Sequence, residues 1–386
     1  DPDSPERGRI LPLTLEPHEL LTTYQPPNLL AAAPVLGLGM RPATTYAWIV
    51  TTDIAEPADG FDAVWDPDHA DHARFAPILD RLPALGLESQ DIAVATVFTT
   101  QDPLDEMRRV ASHVRSELGP GTIEPALAEV RGNSFFRVWE TTYDSPVYQE
   151  GERPYQSEGG ALAFDESGTP AVQSWDAMRL SVTTPLDTTS PPEGGWPVVI
   201  YAHGTGGSYM SFCNGDDGRE VASMFARDGF VGVGFDQPLH GTRRPGDPEA
   251  DAGYLDSFNF INPPAARANF RQGAIDILYL AHTLASEQVV LELPSGQSLP
   301  LDPDNVYYMG HSHGGLTGAL ALPFVGDDVK AAVLSGAGGG LSTTVVVRKD
   351  PLDIAELVRL AAKALRRYRE RHGDVPPAPT GPPEQP

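Results

Sequence analysis

From residue 196 onward the chain alternates short apolar runs with longer amphipathic stretches. Pro197 to Ala202, Phe230 to Phe235, Val306 to Met309 and Ala331 to Ser335 are almost wholly apolar. Short runs of this kind, rich in β-branched and aromatic residues, predict strands buried on both faces. Between them, Arg219 to Arg227 reads as one helix and the stretch opening at Asn262 as another. In the second, Ala274, Ile277, Leu278, Ala281 and Leu284 recur at helical spacing. Asn262 offers an N-cap oxygen, and Pro263 sits in the first turn, where its missing N–H is no loss. Buried strands separated by helices predict an α/β fold around a mostly parallel sheet.

The upstream half has a different pattern. Residues 1–40 are Pro-rich and poorly periodic, which predicts an irregular leader. Thr44 to Thr52 and Ile92 to Thr100 alternate β-branched and aromatic residues and predict strands. Ala73 to Leu85 places Phe75, Ile78, Leu79 and Leu82 at helical spacing. Pro42-Ala43-Thr44-Thr45-Tyr46, then Asp59-Gly60, then Phe98-Thr99-Thr100 resembles bacterial Ig-like modules. An amphipathic helix over Asp105 to Leu118 is expected to close this β-rich region, which then spans 41–120. Phe135 to Thr142 and Met178 to Thr184 predict two more strands, so the α/β domain runs over 121–375. Ile354 to Arg371 reads as a last helix with a basic end. The Pro-rich 376–386 is expected to be disordered.

Composition narrows the function. The formal net charge of −26 argues against nucleic acid and anionic membrane surfaces, both of which would repel it. The single cysteine, Cys213, excludes a disulfide framework and a cysteine-rich zinc site. No apolar run approaches the roughly 20 residues a membrane-spanning helix needs. The opening Asp1-Pro2-Asp3-Ser4-Pro5-Glu6-Arg7-Gly8 has the composition of a flexible leader behind a removed export signal, so an exported location is expected.

The chemistry centres on Gly310-His311-Ser312-His313-Gly314, set between the apolar run at Val306 and a helix-like stretch from Gly315 to Leu322. Strand, tight glycine-flanked turn with a central serine, then helix is the context of a nucleophile elbow. A serine alcohol also needs a base and donors for the developing oxyanion. The His313 N–H supplies one donor. A second is expected from Thr205 N–H, in the Gly-rich run His203-Gly204-Thr205-Gly206-Gly207 that follows the strand at Pro197. A further signal, Asp236-Gln237-Pro238-Leu239-His240-Gly241, follows the strand ending at Phe235.

Taken in order, these motifs, with Asn269-Phe270-Arg271-Gln272 on the long helix, resemble the α/β-hydrolase superfamily. More narrowly they are similar to large exported bacterial lipase/esterase-like proteins with an N-terminal β-rich domain. Phe260-Ile261-Asn262 and Leu334 to Leu341 support the narrower match. The resemblance implies hydrolysis of small-molecule esters or lipids through an acyl-enzyme on Ser312, without a cofactor.

The pattern departs from the family after Ser312. The superfamily places an acid and then a histidine downstream, on the loops of two more strands. No strand is predicted after Ser335, and the C-terminal part of the fold is expected to be missing. Only His313 and His372 follow Ser312. His372, His203 and His240 are therefore weak candidates for the base. Asp350 and Asp353 read as the start of the last helix, and Asp236 as a residue that fixes its own turn. His69, Asp71 and His72 have spacing compatible with a metal but read as an acidic loop. The expectation is a serine esterase or lipase. The alternatives are a non-catalytic exported binding protein on the same scaffold, or an acyltransferase or peptidase. Oligomeric state is not legible.

Overall fold

The computed structural model describes residues 4–22, 25–246, 255–259, 261–340, 343, 346–347, 349 and 353–372. The expected disordered tail at 376–386 and Asp350 lie outside the described residues, as do residues 247–254 and 260. The chain divides into two compact units, Asp1–Asp105 and Glu106–Pro386.

The first unit holds two small antiparallel sheets. Strand β1 (Leu13–His18) pairs with β2 (Leu29–Pro34), Leu13 opposite Pro34. Strand β3 (Thr45–Thr51) pairs with β4 (Ile92–Thr99), and helix α1 (His72–Leu79) lies between them in sequence. Phe61, Trp65 and Phe75 meet edge to face with centroids 5.5 to 6.5 Å apart, in a core with Ile78, Leu82 and Ile92. One expectation is corrected here. Residues 1–40 contain the β1–β2 hairpin rather than an irregular leader; its strands are largely solvent-facing, so no buried face imposed an alternating pattern. The Ig-like expectation is not confirmed: among the described residues the unit holds two two-stranded sheets, fewer strands than an Ig sandwich.

The expected boundary at 120 moves to 105. Helix α2 (Asp105–His113) continues as a π-helical turn over Val114–Leu118. Its Met107, Val110, Ala111 and Val114 are buried in the core of the second unit, not the first.

That core is built on one eight-stranded sheet. Its strands are β5 (Ala128–Gly132), β6 (Arg137–Val147), β7 (Ser174–Thr184), β8 (Trp196–Ala202), β9 (Val231–Phe235), β10 (Val290–Glu292), β11 (Ser298–His311) and β12 (Ala332–Ser335). The spatial order is β10-β11-β8-β9-β7-β6-β5, and β12 pairs with the C-terminal part of β11. Strands β9, β8, β11 and β12 run parallel, while β7, β6 and β5 add on antiparallel. Among the described residues no strand follows β12.

Strand pleating sends alternate side chains to opposite faces. On β8, Val198, Ile200 and Ala202 join the larger core cluster, and Tyr201 joins the smaller one on the other face. Helix α3 (Val221–Arg227) covers the smaller cluster with Ala222 and Ala226. Helix α4 (Pro263–Ser286) fills the larger, and Ala274, Ile277, Leu278, Ala281 and Leu284 are all buried. The Asn262 side chain caps it by accepting the Ala265 N–H, with Pro263 in the first turn. Helices α5 (His313–Ala321) and α6 (Ile354–His372) complete the unit, and the Asp353 side chain accepts the Glu356 N–H at the start of α6.

The chain path places the site. From β8 it moves to β9 on one side, then crosses to β11 on the other. The carboxyl ends of β8 and β11 therefore flank a topological switch point, where parallel sheets open a crevice for ligands.

Candidate active site

Ser312 is the single residue between β11 and α5, with φ 51° and ψ −108°. A non-glycine residue adopts such angles only when its surroundings impose them. Here Ser312 N–H donates to Ser335 O of β12 at 2.8 Å, and Gly314 N–H donates to His203 O at 3.0 Å. Tyr308 Oη donates to Gly314 O at 2.6 Å. A Cβ on Gly310 would overlap the Gly314 carbonyl, and one on Gly314 would overlap the Ala202 carbonyl. The glycines on either side of the serine are thus required by close backbone approach.

The Gly-rich loop after β8 runs directly beside this turn. A Cβ on Gly204 would stand 3.2 Å from Ser312 Cβ. Among the described residues, neither the Thr205 amide nor the His313 amide donates to a protein acceptor. His313 is the first residue of α5, where backbone N–H groups lack helical partners and the helix dipole favours negative charge. The structure brings Ser312, Thr205 and His313 to the same edge of the sheet. This arrangement can bind an oxyanion formed next to a serine oxygen.

The expected base candidates fare differently. His203 and His240 are buried at the same edge, but each has both ring nitrogens occupied by backbone groups. Neither has a lone pair or proton left to exchange with Ser312, which corrects their candidacy. Burial, with His240 alongside, pushes the His203 imidazole down to about 3. Burial likewise lowers His240 and takes His313 well below the ordinary histidine value. The His313 ring stacks on Phe270 with centroids 4.6 Å apart and places Nδ1 3.4 Å from Thr205 Oγ1. Its Nε2 is buried with no hydrogen-bond partner among the described residues. His372 is the last residue of α6, and its side chain lies outside the described residues. Among the described residues no side chain is hydrogen-bonded to Ser312 Oγ.

Asp236 does more than fix its own turn. It accepts the Tyr209 N–H at 2.9 Å and pairs with Arg179 at 3.0 Å, so it ties the β9 loop to the β8 loop and to β7. Behind it lies a buried charge network that the sequence did not reveal. Arg243 bonds Asp276 at 2.5 Å and Asp176 at 2.9 Å, and Asp176 also holds Arg153 at 2.6 Å. Burial opposes the Arg243 charge, but the two carboxylates outweigh it and hold its pKa above the usual arginine value. A cavity of about 550 Å³ opens beside this network, lined by Gln149, Arg153, Tyr155 and Asp176; Ser312 does not line it. Among the described residues no cluster of His, Cys, Asp or Glu is placed to hold a metal ion, and no helix is long and apolar enough to cross a membrane.

Residues 197–371 match the family profile of the α/β hydrolase fold. No curated protein matches the chain. Among solved structures, the chain is similar to an acetyl xylan esterase from Paenibacillus sp. R4, at 16% identity over 70% of this chain and 69% of that one, with TM-score 0.40. Acetyl xylan esterase 1 from Thermoanaerobacterium sp. JW/SL YS485 gives 16% identity over 69% and 67%, with TM-score 0.34. An S-formylglutathione hydrolase from Agrobacterium tumefaciens gives 15% identity over 54% of this chain and 60% of that one, with TM-score 0.29.

Proposed function

We propose that the chain, whose residues 197–371 match the family profile of the α/β hydrolase fold, is a serine hydrolase that cleaves carboxylic esters through an acyl-enzyme on Ser312. One observation carries this reading: the imposed backbone at Ser312, φ 51°, beside two uncommitted amides at Thr205 and His313.

In this mechanism Ser312 Oγ adds to the ester carbonyl and gives up its proton to a base. The carbonyl electrons move onto oxygen, and the His313 and Thr205 N–H groups hold the negative charge. Collapse breaks the bond to the alcohol, which leaves with the proton, and the acyl group stays on Ser312. Water then repeats the sequence and releases the acid. With His203 and His240 committed to backbone, His372 is the one left of the three histidines the sequence offered as bases.

The test is turnover of p-nitrophenyl butyrate by the protein and by Ser312→Ala. The reading predicts hydrolysis that Ser312→Ala abolishes, and that His372→Ala lowers by a factor of at least about 100 if His372 is the base. Turnover unchanged in Ser312→Ala contradicts the serine mechanism. A second reading, a binding protein on the hydrolase scaffold, is favoured by Ser312 Oγ having no side-chain partner among the described residues. That protein would hydrolyse nothing and would leave serine-directed phosphonates unreacted.

A further inference from the structure

The loops that follow β8 and β9 are held together by a crossed pair of histidines. His203, on the first loop, accepts the Gln237 N–H of the second at Nε2, 3.0 Å away. His240, on the second, accepts the Gly206 N–H of the first at Nε2, 3.1 Å away. An amide donor at Nε2 fixes that atom as the acceptor, so Nδ1 carries the proton in both rings. Each Nδ1–H then donates within its own loop, His203 to Gly204 O at 2.7 Å and His240 to Pro238 O at 3.0 Å. The two rings lie 4.9 Å apart, and both are buried.

The Gly204 carbonyl also accepts the Gly207 N–H at 2.9 Å. That carbonyl and the Thr205 N–H belong to one trans peptide, in which they point in opposite directions. Two donors that pin the carbonyl therefore aim the Thr205 amide the other way. The loop lies against the nucleophile here, where a Cβ on Gly204 would stand 3.2 Å from Ser312 Cβ.

We propose that His203 is a positioning residue that aims the Thr205 oxyanion donor through its Nδ1–H, with His240 bracing the same loop at the Gly206 N–H; this rests on the hydrolase reading above. His203 touches no reacting atom. It sets the orientation of a donor that must be in place before charge develops, because a donor that has to reorient stabilises the transition state less. The depressed pKa values of both rings fit the bonding, since protonation would destroy the two Nε2 acceptors.

Two substitutions separate this role from a purely structural one. An asparagine amide overlies the Nδ1 position, and a glutamine amide overlies the Nε2 position. His203→Asn keeps the donor to Gly204 O and loses the acceptor for Gln237 N–H; His203→Gln does the reverse. Each deletes one buried hydrogen bond, so similar thermal midpoints are expected. The rate at which a fluorophosphonate labels Ser312 is expected to stay near wild type in His203→Asn and to fall about 100-fold in His203→Gln, as for loss of an oxyanion donor. Equal losses in both variants overturn the proposal.

A second measurement does not depend on catalysis. Nitrogen-15 NMR of the histidines in the full chain is expected to show the Nδ1–H form at both 203 and 240 at neutral pH. An Nε2–H form at either ring overturns the crossed bonding. A wild-type protein that shows these forms but is not labelled overturns the hydrolase reading, and the positioning role with it, while leaving the crossed bonds intact.

Discussion

At Ser312 a strand ends in a conformation that costs about 1–3 kcal/mol for a non-glycine residue. The bonds from Ser312 N–H to β12 and from Gly314 N–H to the β8 loop hold it there. The neighbouring histidines make a prediction of their own. His203, His240 and His313 are buried and neutral, with pKa values depressed chiefly by burial. In the unfolded chain each binds a proton near pH 6.5. Below that pH the unfolded state binds more protons, so stability falls as pH falls, by at most about 1.4 kcal/mol per pH unit for a histidine that stays neutral in the folded state. For His203 the loss continues down to about pH 3. Urea midpoints measured from pH 7.5 to 5 should therefore decline steadily, and a flat profile would contradict neutral burial. At this scale the tight turn at Ser312 was legible, because glycines on either side of a serine between an apolar strand and a helix mark one. The histidine clamp was not. Its bonds join residues 34 apart in sequence, and nothing local to His203 or His240 signals them.

Helix α4 shows how an element can be recognised and still misjudged. Its apolar spacing identified one buried face. Asn269, Gln272 and Asp276 lie on what the spacing treats as the solvent side, yet all three are fully buried. They are inside because each has specific partners. Asn269 accepts from Gln149, Gln272 bonds both Tyr148 N–H and Pro146 O, and Asp276 accepts from Ser145 and Arg243. Polar residues follow the helical period whether they meet water or a buried network, so periodicity cannot separate the two. Replacing Asp276 with asparagine leaves Arg243 partly uncompensated in a dry site. The expected cost is about 3 kcal/mol, read from urea unfolding; a change below roughly 0.5 kcal/mol would show that the network is not buried as described. The β1–β2 hairpin was missed for the converse reason, since strands that bury little carry no pattern to find.

For the whole molecule, the parallel strands were legible as apolar runs, and their order was not, because register and crossovers depend on tertiary packing. That order is what matters for function. It puts the carboxyl ends of β8 and β11 on either side of the switch point, and so sets Thr205 across from Ser312. The central claim is that Ser312 is a nucleophile within this arrangement. Reaction of the folded protein with a fluorophosphonate, followed by peptide mass mapping, tests it most directly. The account predicts one phosphonyl adduct per chain, on Ser312, and none in Ser312→Ala. A folded protein that gains no adduct, or gains it on another residue, would contradict it.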